Sequence, residues 1–314
     1  MSRTATAARL IEHGKPIEVQ PLELPEPSDD EAVVVLRFAG LNPVDRYAIE
    51  GKVAAEGPLP RTIGGEASGL VDGRPVVVAG AGLGATRDGV FATAAVVPKS
   101  TIFELPDGVA LDEAAALGVV GLTAWRVVEL AEVGASDRVL VLGGAGGVGQ
   151  SLISYAASKG ATVWGQTGSE SKAAAITEFG AERAVIAGAD ELYEAVREFA
   201  PTVVFDPLGG SFTSSALLAI APRGQLVLFG TSSADEAKIQ LKPLYRGQIQ
   251  LRTYAGIIAT PEERAEGLRH SIGEFAAGRL RIRVGRRVAL DSVNEAFEAM
   301  ADRSVVGKVV LDLR

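Results

Sequence analysis

The sequence predicts an α/β protein that combines a doubly wound parallel sheet with a β-rich region. Strand-like segments alternate with helix-like segments from Asp137 onwards, as in parallel β-α-β units with right-handed crossovers. A glycine-rich turn at residues 143–149 connects the first of these strands to the first helix. Residues 1 to about 118, in contrast, mostly indicate strands and turns, with no helical period of any length before the pattern changes near Leu111.

The β-rich region opens the chain. Its turn signals are Asp72-Gly73 and the stretch 80–89, which holds four glycines and is expected to be a loop. The apolar pattern predicts strands at 32–39, 68–71, 75–79 and 89–97, followed by helices at 112–117 and 122–131.

The parallel sheet is expected to bind its ligand at the carboxyl ends of the strands, near the point where the strand order reverses. The tail after residue 260 does not extend the alternation, so we expect it to return to the β-rich region. The predicted strands are 138–142, 161–166, 184–187, 202–206, 225–230, 250–255, 284–290 and 307–313, and the helices are 147–159, 170–179, 190–199, 211–220, 261–278 and 293–300.

Composition excludes several functional classes. The chain of 314 residues carries a net charge of −8, which argues against a nucleic-acid or anionic-membrane binder. It has no cysteine and two histidines, His13 and His270, both expected at the surface. Thiolate zinc sites and Ser-His-Asp arrangements therefore lack their residues. Residues 1–16 lack a signal-peptide core, and charges interrupt the longest apolar stretch, so we expect a cytoplasmic protein with no metal site.

The glycine-rich turn predicts a dinucleotide site. Gly144, Gly146 and Gly149 supply G-x-G-x-x-G between a strand and a helix, where a pyrophosphate binds. Glycine permits positive φ and lets phosphate approach backbone N–H groups closely. The helix N-terminus, which starts at Gly147 and Val148, adds unpaired donors and a partial positive charge.

Two other interpretations of this segment fit less well. A phosphate-binding P-loop needs a lysine where Gln150 stands. Tyr155 and Lys159 form the Tyr-x-x-x-Lys pair of short-chain dehydrogenases, but here the pair lies on the first helix of the nucleotide unit, whereas that family carries it on a later one. We therefore expect Tyr155 to be packed and Lys159 to be solvated.

The order of short motifs resembles that of the zinc-less medium-chain dehydrogenase/reductases, specifically their quinone oxidoreductase branch. The resemblance covers nearly the whole chain. The matching segments are N-P-x-D-x-Y at 42–47, G-x-E-x-x-G at 64–69, A-A-x…L-T-A at 115–124, D-x-x-G-G at 206–210 and G-K-x-V-L at 307–311.

The resemblance implies a GroES-like β-rich catalytic domain, residues 1–118 and 259–314, around a Rossmann domain, residues 119–258. It also implies a homodimer or tetramer joined through the nucleotide domains. Two departures stand out: Val53 and Ala54 lie where relatives often have an aromatic residue, and the stretch 72–89 is rich in glycine. The resemblance therefore implies no substrate contacts from these two segments.

The cofactor is predicted to be NADPH. NAD-specific relatives carry an acid after the second strand, where this chain has Gly168. Glycine leaves room for a 2′-phosphate, Ser169 can donate a hydrogen bond, and Lys172 is placed to pair with the phosphate. Glu170 could instead accept a bond from a ribose, and a purely structural interpretation makes Ser169 a helix N-cap and Lys172 a solvated residue.

The chemistry expected without a metal is hydride transfer to a soft acceptor. A quinone, or an enone attacked at its β-carbon, delocalises charge onto an oxygen that a few donors can hold. The resemblance places Asn42 near the nicotinamide and Tyr47 on the substrate side, as the candidate catalytic residues. The alternative to these catalytic roles is a purely structural one, with Asn42 as a turn residue and Tyr47 as a core residue. Asp45 is expected to be a helix cap rather than a base.

The resemblance also implies cofactor contacts from Thr123, from Phe229 and Gly230 at the end of a strand, and from Lys308. The leading hypothesis is thus an NADPH-dependent quinone or enone reductase. An enoyl-thioester reductase, acting on a CoA-bound or carrier-bound chain, and a non-catalytic NADPH-binding protein remain as alternatives.

Overall fold

The computed structural model describes residues 3–302 and 304–314. Elements are numbered along the chain. The strands are β1 (Arg3–Leu10), β2 (Glu18–Leu24), β3 (Glu31–Gly40), β4 (Arg61–Thr62), β5 (Glu66–Val71), β6 (Arg74–Ala79), β7 (Ala94–Pro98), β8 (Ile102–Glu104), β9 (Arg138–Val141), β10 (Thr162–Thr167), β11 (Arg183–Ile186), β12 (Val203–Asp206), β13 (Gln225–Leu228), β14 (Gln250–Thr253), β15 (Val284–Ala289) and β16 (Lys308–Asp312).

The helices connect these strands. They are α1 (Pro43–Ile49), α2 (Leu111–Ala114), α3 (Leu122–Leu130), α4 (Gly147–Ser158), α5 (Ala173–Glu178), α6 (Ala189–Val196), α7 (Gly210–Ala219), α8 (Leu241–Gly247), α9 (Pro261–Ala276) and α10 (Val293–Ala301). None of the helices within the described residues is both long and apolar enough to cross a membrane.

The chain forms two compact units. The first unit comprises Met1–Leu122, Thr260–Ala276 and Ile282–Arg314, and the second comprises Thr123–Ala259 and Ala277–Arg281. The fold class is α/β, with a doubly wound Rossmann sheet in the second unit and a GroES-like β-rich first unit. The tail after residue 260 contributes α9, α10, β15 and β16 to the first unit.

The first unit contains two sheets. One has the order β2-β1-β4, and the other has the order β15-β16-β3-β5-β6-β8, with β7 also paired to β3. Its core is aliphatic, built from side chains such as Leu10, Leu36, Val78 and Leu311. Because β16 pairs with β3 at Val310 and Gly40, residues near both ends of the chain lie side by side.

The second unit is a parallel sheet of order β11-β10-β9-β12-β13-β14. The alternation predicted from Asp137 is confirmed, with element ends shifted by a few residues. The strand order reverses at β9, so the carboxyl ends of β9, β10, β12 and β13 form one edge near the switch point.

Two expectations for the β-rich region were wrong. Residues 43–49 form α1, because Pro43 at the first helical position and the Asp45 carboxylate stabilise a short helix that has no long apolar period. The strand expected at 89–97 is regular only over Ala94–Pro98. Its first part instead bonds to two separate segments, with Phe91 N donating to the Ile63 oxygen and Ala8 N donating to the Phe91 oxygen.

Candidate active site

The glycine-rich turn follows β9 and is tied to β10. Gly144 N donates to the Gln166 carbonyl oxygen at 2.7 Å, and Gly143 N donates to the Gln166 Oε1 at 3.0 Å. A Cβ at position 149 would lie 2.3 Å from the Gly143 oxygen, so only glycine fits where α4 packs against the turn. A Cβ at Gly146, an exposed position, would come no closer than 3.4 Å to its surroundings.

This geometry fits a dinucleotide pyrophosphate. Gly147 and Val148 start α4, whose first N–H groups have no partner within the helix and carry its partial positive charge. The close packing at Gly149 and the open position at Gly146 match the separate roles of glycines in such a turn. Gly144, Gly146, Gly147, Val148 and Gly149 would hold the phosphates.

The end of β10 presents the residues expected to select the cofactor. Gly168 is exposed, and a Cβ placed there would meet nothing within 4 Å. Ser169 precedes a short 3-10 turn, Glu170–Lys172, and its hydroxyl bonds to that of Ser171 at 2.8 Å. Lys172 is half-buried, and its N–H donates to the Ser169 oxygen at 3.1 Å.

The remaining predicted cofactor residues of the second unit lie on other elements. Phe229 and Gly230 follow β13 directly, at the same sheet edge as the glycine-rich turn, and Phe229 N donates to the Asp206 oxygen at 3.0 Å. A Cβ at Gly230 would lie 2.8 Å from the Pro207 oxygen, so the chain passes close to that turn. Thr123 is half-buried at the start of α3, after a π-helical turn over Leu117–Gly121.

The first unit holds a buried polar cluster of Asn42, Asp45, Glu66 and Lys308. Each of these side chains is at most 7% exposed. The ammonium group of Lys308 donates to the Asn42 Oδ1 in a short bond, and to the Glu66 Oε1 at 3.2 Å. The structure therefore brings together two predicted site residues, Asn42 and Lys308, which the sequence separates by 266 positions.

Glu66 completes the cluster. The sequence analysis named it only as part of the G-x-E-x-x-G motif and not as a site residue. Its Oε1 accepts from the Asn42 Nδ2 at 2.6 Å, and its Oε2 accepts from the Val119 N at 2.8 Å. Glycines make room for this carboxylate: a Cβ at Gly40 would lie 2.6 Å from Oε1, and one at Gly118 would lie 3.0 Å from Oε2. Both ends of the Asn42 amide are consequently bonded inside the cluster.

Asp45 behaves as the predicted cap, since its Oδ2 accepts from the Asn42 N at 2.8 Å. Burial raises the pKa of Asp45 to about 7, and the nearby Glu66 carboxylate also raises it. The N–H groups of Asn42 and Gly65 and the charge of Lys308 lower it, but they do not offset the burial. Near neutral pH this carboxyl group is therefore partly protonated.

Tyr47 lies on α1 and is not a core residue. Its side chain is 40% exposed, in contrast to the structural alternative of core packing. Its carbonyl oxygen accepts from Lys52 N at 2.8 Å and Val53 N at 3.3 Å, which starts the segment after α1. The phenol is thus available to an external ligand, whereas Asn42 is held by its neighbours.

The surroundings of the Tyr-x-x-x-Lys pair and of the two histidines agree only in part with the sequence analysis. Tyr155 is packed, as expected, and its hydroxyl donates to the Glu129 Oε1 at 2.6 Å. Lys159 is not simply solvated, because it pairs with the same Glu129 oxygen at 2.6 Å. His270 is exposed as expected, but His13 is half-buried, with its Nδ1 3.3 Å from the Ile49 oxygen.

A cavity of about 530 Å³ lies elsewhere in the first unit, between α9 and the ends of β6 and β8. Its lining includes Phe103, Thr101, Glu262 and Arg269, and none of the predicted site residues. Over residues 3–302 and 304–314, no group of three or more His, Cys, Asp or Glu side chains is arranged to hold a metal ion.

Comparisons with known proteins agree with this geometry. A family model described as zinc-binding dehydrogenase matches residues 147–269. A quinone oxidoreductase of Pseudomonas aeruginosa is 28% identical, over 94% of this chain and 95% of its own length. A structure of an NAD-dependent alcohol dehydrogenase, 27% identical, superposes with a TM-score of 0.90 over 98% of this chain and all of its own.

The quinone oxidoreductase of Thermus thermophilus, whose structure was also determined with NADPH, is 27% identical and superposes with a TM-score of 0.86. The superposition covers 98% of this chain and 100% of that protein. From the glycine-rich turn, the two-unit fold and these similarities over almost the whole length, we conclude that the chain belongs to the medium-chain dehydrogenase/reductase superfamily of oxidoreductases.

Proposed function

We propose that the protein is an NADPH-dependent reductase that transfers a hydride to a quinone or an α,β-unsaturated carbonyl without a metal. The observation that supports this proposal is that the glycine-rich turn, Gly168 and Phe229 all follow strands at one edge of the parallel sheet. A bound dihydronicotinamide would supply the hydride, and the protein would supply binding, orientation and donors. The units would then be a catalytic domain and a nucleotide domain.

The preference for NADPH rests on the end of β10. A side chain at Gly168 would meet nothing within 4 Å, so the space open there can accept a phosphate. Ser169 and Lys172 would donate to that phosphate, with Lys172 adding positive charge. The Thermus thermophilus relative has a complex with NADPH, whereas the alcohol dehydrogenase is described as NAD-dependent, so relatives alone do not choose between the cofactors.

The acceptor would be held by groups of the first unit. Reduction of a quinone or enone places negative charge on an oxygen, which a nearby donor stabilises. Tyr47 is 40% exposed, and its hydroxyl suits this role. Asn42 and Lys308 would act next to it: the ammonium group orients the Asn42 amide and adds positive charge behind it.

Metal independence is supported by the residues of the chain. The matched family model is named for zinc binding, yet the chain has no cysteine, and its histidines lie at positions 13 and 270. A quinone or enone needs no Lewis acid, because its own conjugation spreads the developing charge. We accordingly propose a soft acceptor rather than an ordinary alcohol.

We also propose a homodimer formed through the nucleotide unit. Strand β14 lies at one edge of the parallel sheet, and an unpaired edge is a template for pairing with a second copy. Apolar side chains are exposed along this side of the unit, namely Leu241, Tyr245, Leu251, Ile257 and Ile258. A two-fold pairing would cover them. A cytoplasmic location stays a prediction from the sequence.

The proposed function is tested by NADPH consumption. The purified protein, treated with a chelator, is offered a benzoquinone, an acyclic enone and an enoyl-CoA in parallel. We expect turnover with the quinone or the enone. Turnover with the thioester alone would favour the enoyl-thioester reductase, and NADPH binding without any turnover would favour the non-catalytic alternative.

The cofactor assignment is tested separately. The Lys172→Ala variant is expected to weaken NADPH binding and to leave NADH binding nearly unchanged, because only NADPH carries the 2′-phosphate. An equal loss of affinity for both cofactors would contradict the assignment of Lys172.

A further inference from the structure

Arg61 is a completely buried arginine in the first unit. It lies in β4 and has an exposed fraction of 0%. Within the described residues, no carboxylate pairs with it; its bonds go to backbone carbonyls. Nε donates to Gly84 at 3.2 Å, Nη1 to Pro58 at 3.3 Å and Nη2 to Ala48 at 3.3 Å.

These acceptors belong to three different segments. Ala48 lies near the end of α1, Pro58 lies in the segment that precedes β4, and Gly84 lies in the loop after β6. A buried guanidinium is costly unless its donors are satisfied. Three donors of the planar fork are bonded here, one to each segment, and these bonds hold only while the three segments keep their relative positions.

Close backbone contacts join the same segments. A Cβ at Gly57 would lie 2.1 Å from the Ala85 oxygen, so the segment before β4 rests directly on the loop after β6. A Cβ at Gly84 would lie 2.6 Å from Gly64 N. These glycines allow the approach, and the Arg61 guanidinium supplies the bonds that hold it.

A second side chain holds the segment from the other end. His13 Nδ1 lies 3.3 Å from the Ile49 oxygen, and Nε2 lies 3.4 Å from the Ala55 oxygen. Because a neutral imidazole donates from only one ring nitrogen, His13 adds one bond here, to Ile49 or to Ala55, besides those from Arg61. Tyr47, whose phenol is exposed, lies one residue before the Ala48 carbonyl that Arg61 binds.

We propose that Arg61 is a positioning residue that determines which acceptors the enzyme uses, by fixing residues 48–58, which follow Tyr47 directly, against residues 80–89. This inference rests on the proposed reductase function. Arg61 touches neither substrate nor cofactor in this view. It acts through the backbone that follows Tyr47, and thereby on where α1 presents the Tyr47 side chain.

The activity test compares Arg61→Met, which keeps an unbranched side chain of shorter length and removes the donors, with Arg61→Lys, which retains a cation and some donors. The control is Arg74→Met, which removes an exposed arginine that pairs with Glu104 in the same unit. For Arg61→Met we expect the KM for a small benzoquinone to rise about tenfold, as when about a tenth of the molecules keep the binding-competent arrangement. Arg61→Lys should recover part of it, and Arg74→Met should match wild type.

The readouts distinguish positioning from general damage. The ratio of kcat/KM between a small benzoquinone and a bulky naphthoquinone should change in Arg61→Met, while the Kd for NADPH stays within about twofold, below a 1 kcal/mol effect. An unchanged ratio with a lower kcat for both acceptors would overturn the proposal. If Arg61→Met does not fold, the same ratio in Arg61→Lys decides between the two outcomes.

Hydrogen exchange tests the inference independently of turnover. Faster exchange in Arg61→Lys confined to residues 48–58 and 80–89 would support the positioning role, and uniform or unchanged exchange would overturn it. If the wild-type protein reduces no acceptor, the proposed function fails by itself. The exchange pattern then still shows whether Arg61 fixes these loops.

Discussion

Asp45 makes the stability of the first unit depend on pH. Its carboxyl group is buried beside Glu66 and Lys308 and accepts bonds from the N–H groups of Asn42 and Gly65. Its pKa rises from 3.8 to about 7, so the folded state retains a proton that the unfolded state releases at lower pH. Stability is therefore greatest below the unfolded pKa and is lost as pH rises towards 7.

The expected size follows from the shift. A change of about three pKa units corresponds to about 4 kcal/mol of differential stability between the two ends of this pH range. The Asp45→Asn variant removes the titration and keeps an oxygen that can accept from the Asn42 N–H. Relative to this variant, wild type should lose up to about 4 kcal/mol between pH 4 and pH 8.

Urea unfolding followed by far-ultraviolet circular dichroism at these pH values measures the difference. Asp107→Asn, which changes an exposed carboxylate in the same unit, serves as the control and should keep the wild-type pH dependence. If wild type and Asp45→Asn change in parallel with pH, the raised pKa of Asp45 is refuted. If wild type instead gains stability relative to Asp45→Asn as the pH rises, the Asp45 pKa is lowered in the folded state and the predicted direction of the shift is refuted.

Three further predictions concern cofactor, acceptor and assembly. Gly168→Asp should weaken NADPH binding at least about tenfold by charge repulsion and improve NADH binding, measured by fluorescence titration; equal effects on both would contradict the assignment. Tyr47→Phe should lower kcat/KM for an enone about tenfold at unchanged NADPH affinity, whereas Tyr193→Phe, on α6, should not. Leu251→Arg should convert a dimer to a monomer in light scattering, while Ile186→Arg, on the opposite edge strand, should not; the reverse result would place the interface elsewhere.

Local patterns explain what could be predicted from the sequence. The parallel sheet was predicted well because each buried strand is a short apolar run, and the following helix has its own period. The glycine-rich turn was equally accessible, since Gly144 to Gly149 lie within one turn. Helix α1 was missed because its stability comes from a proline at its start and the Asp45 cap rather than from periodicity.

The buried polar cluster could not be derived from the sequence. Asn42 and Lys308 each belonged to a recognised motif, but their bond depends on the pairing of β16 with β3. The exposure of Tyr47 and the burial of Arg61 likewise depend on how distant segments pack. No periodicity signal distinguishes a buried arginine from a solvated one.

The place of β16 in its sheet has a consequence for synthesis of the protein. Residues 308–312 pair with β3 and carry the cation of the buried polar cluster, yet the ribosome adds them roughly 270 residues after β3. Until then, the edge of β3 at Phe38 to Gly40 lacks its neighbour and Glu66 lacks its cation. We expect the second unit, whose last residue is Arg281, to be able to fold before β16 is made, and the first unit to complete its sheet only after β16 has emerged.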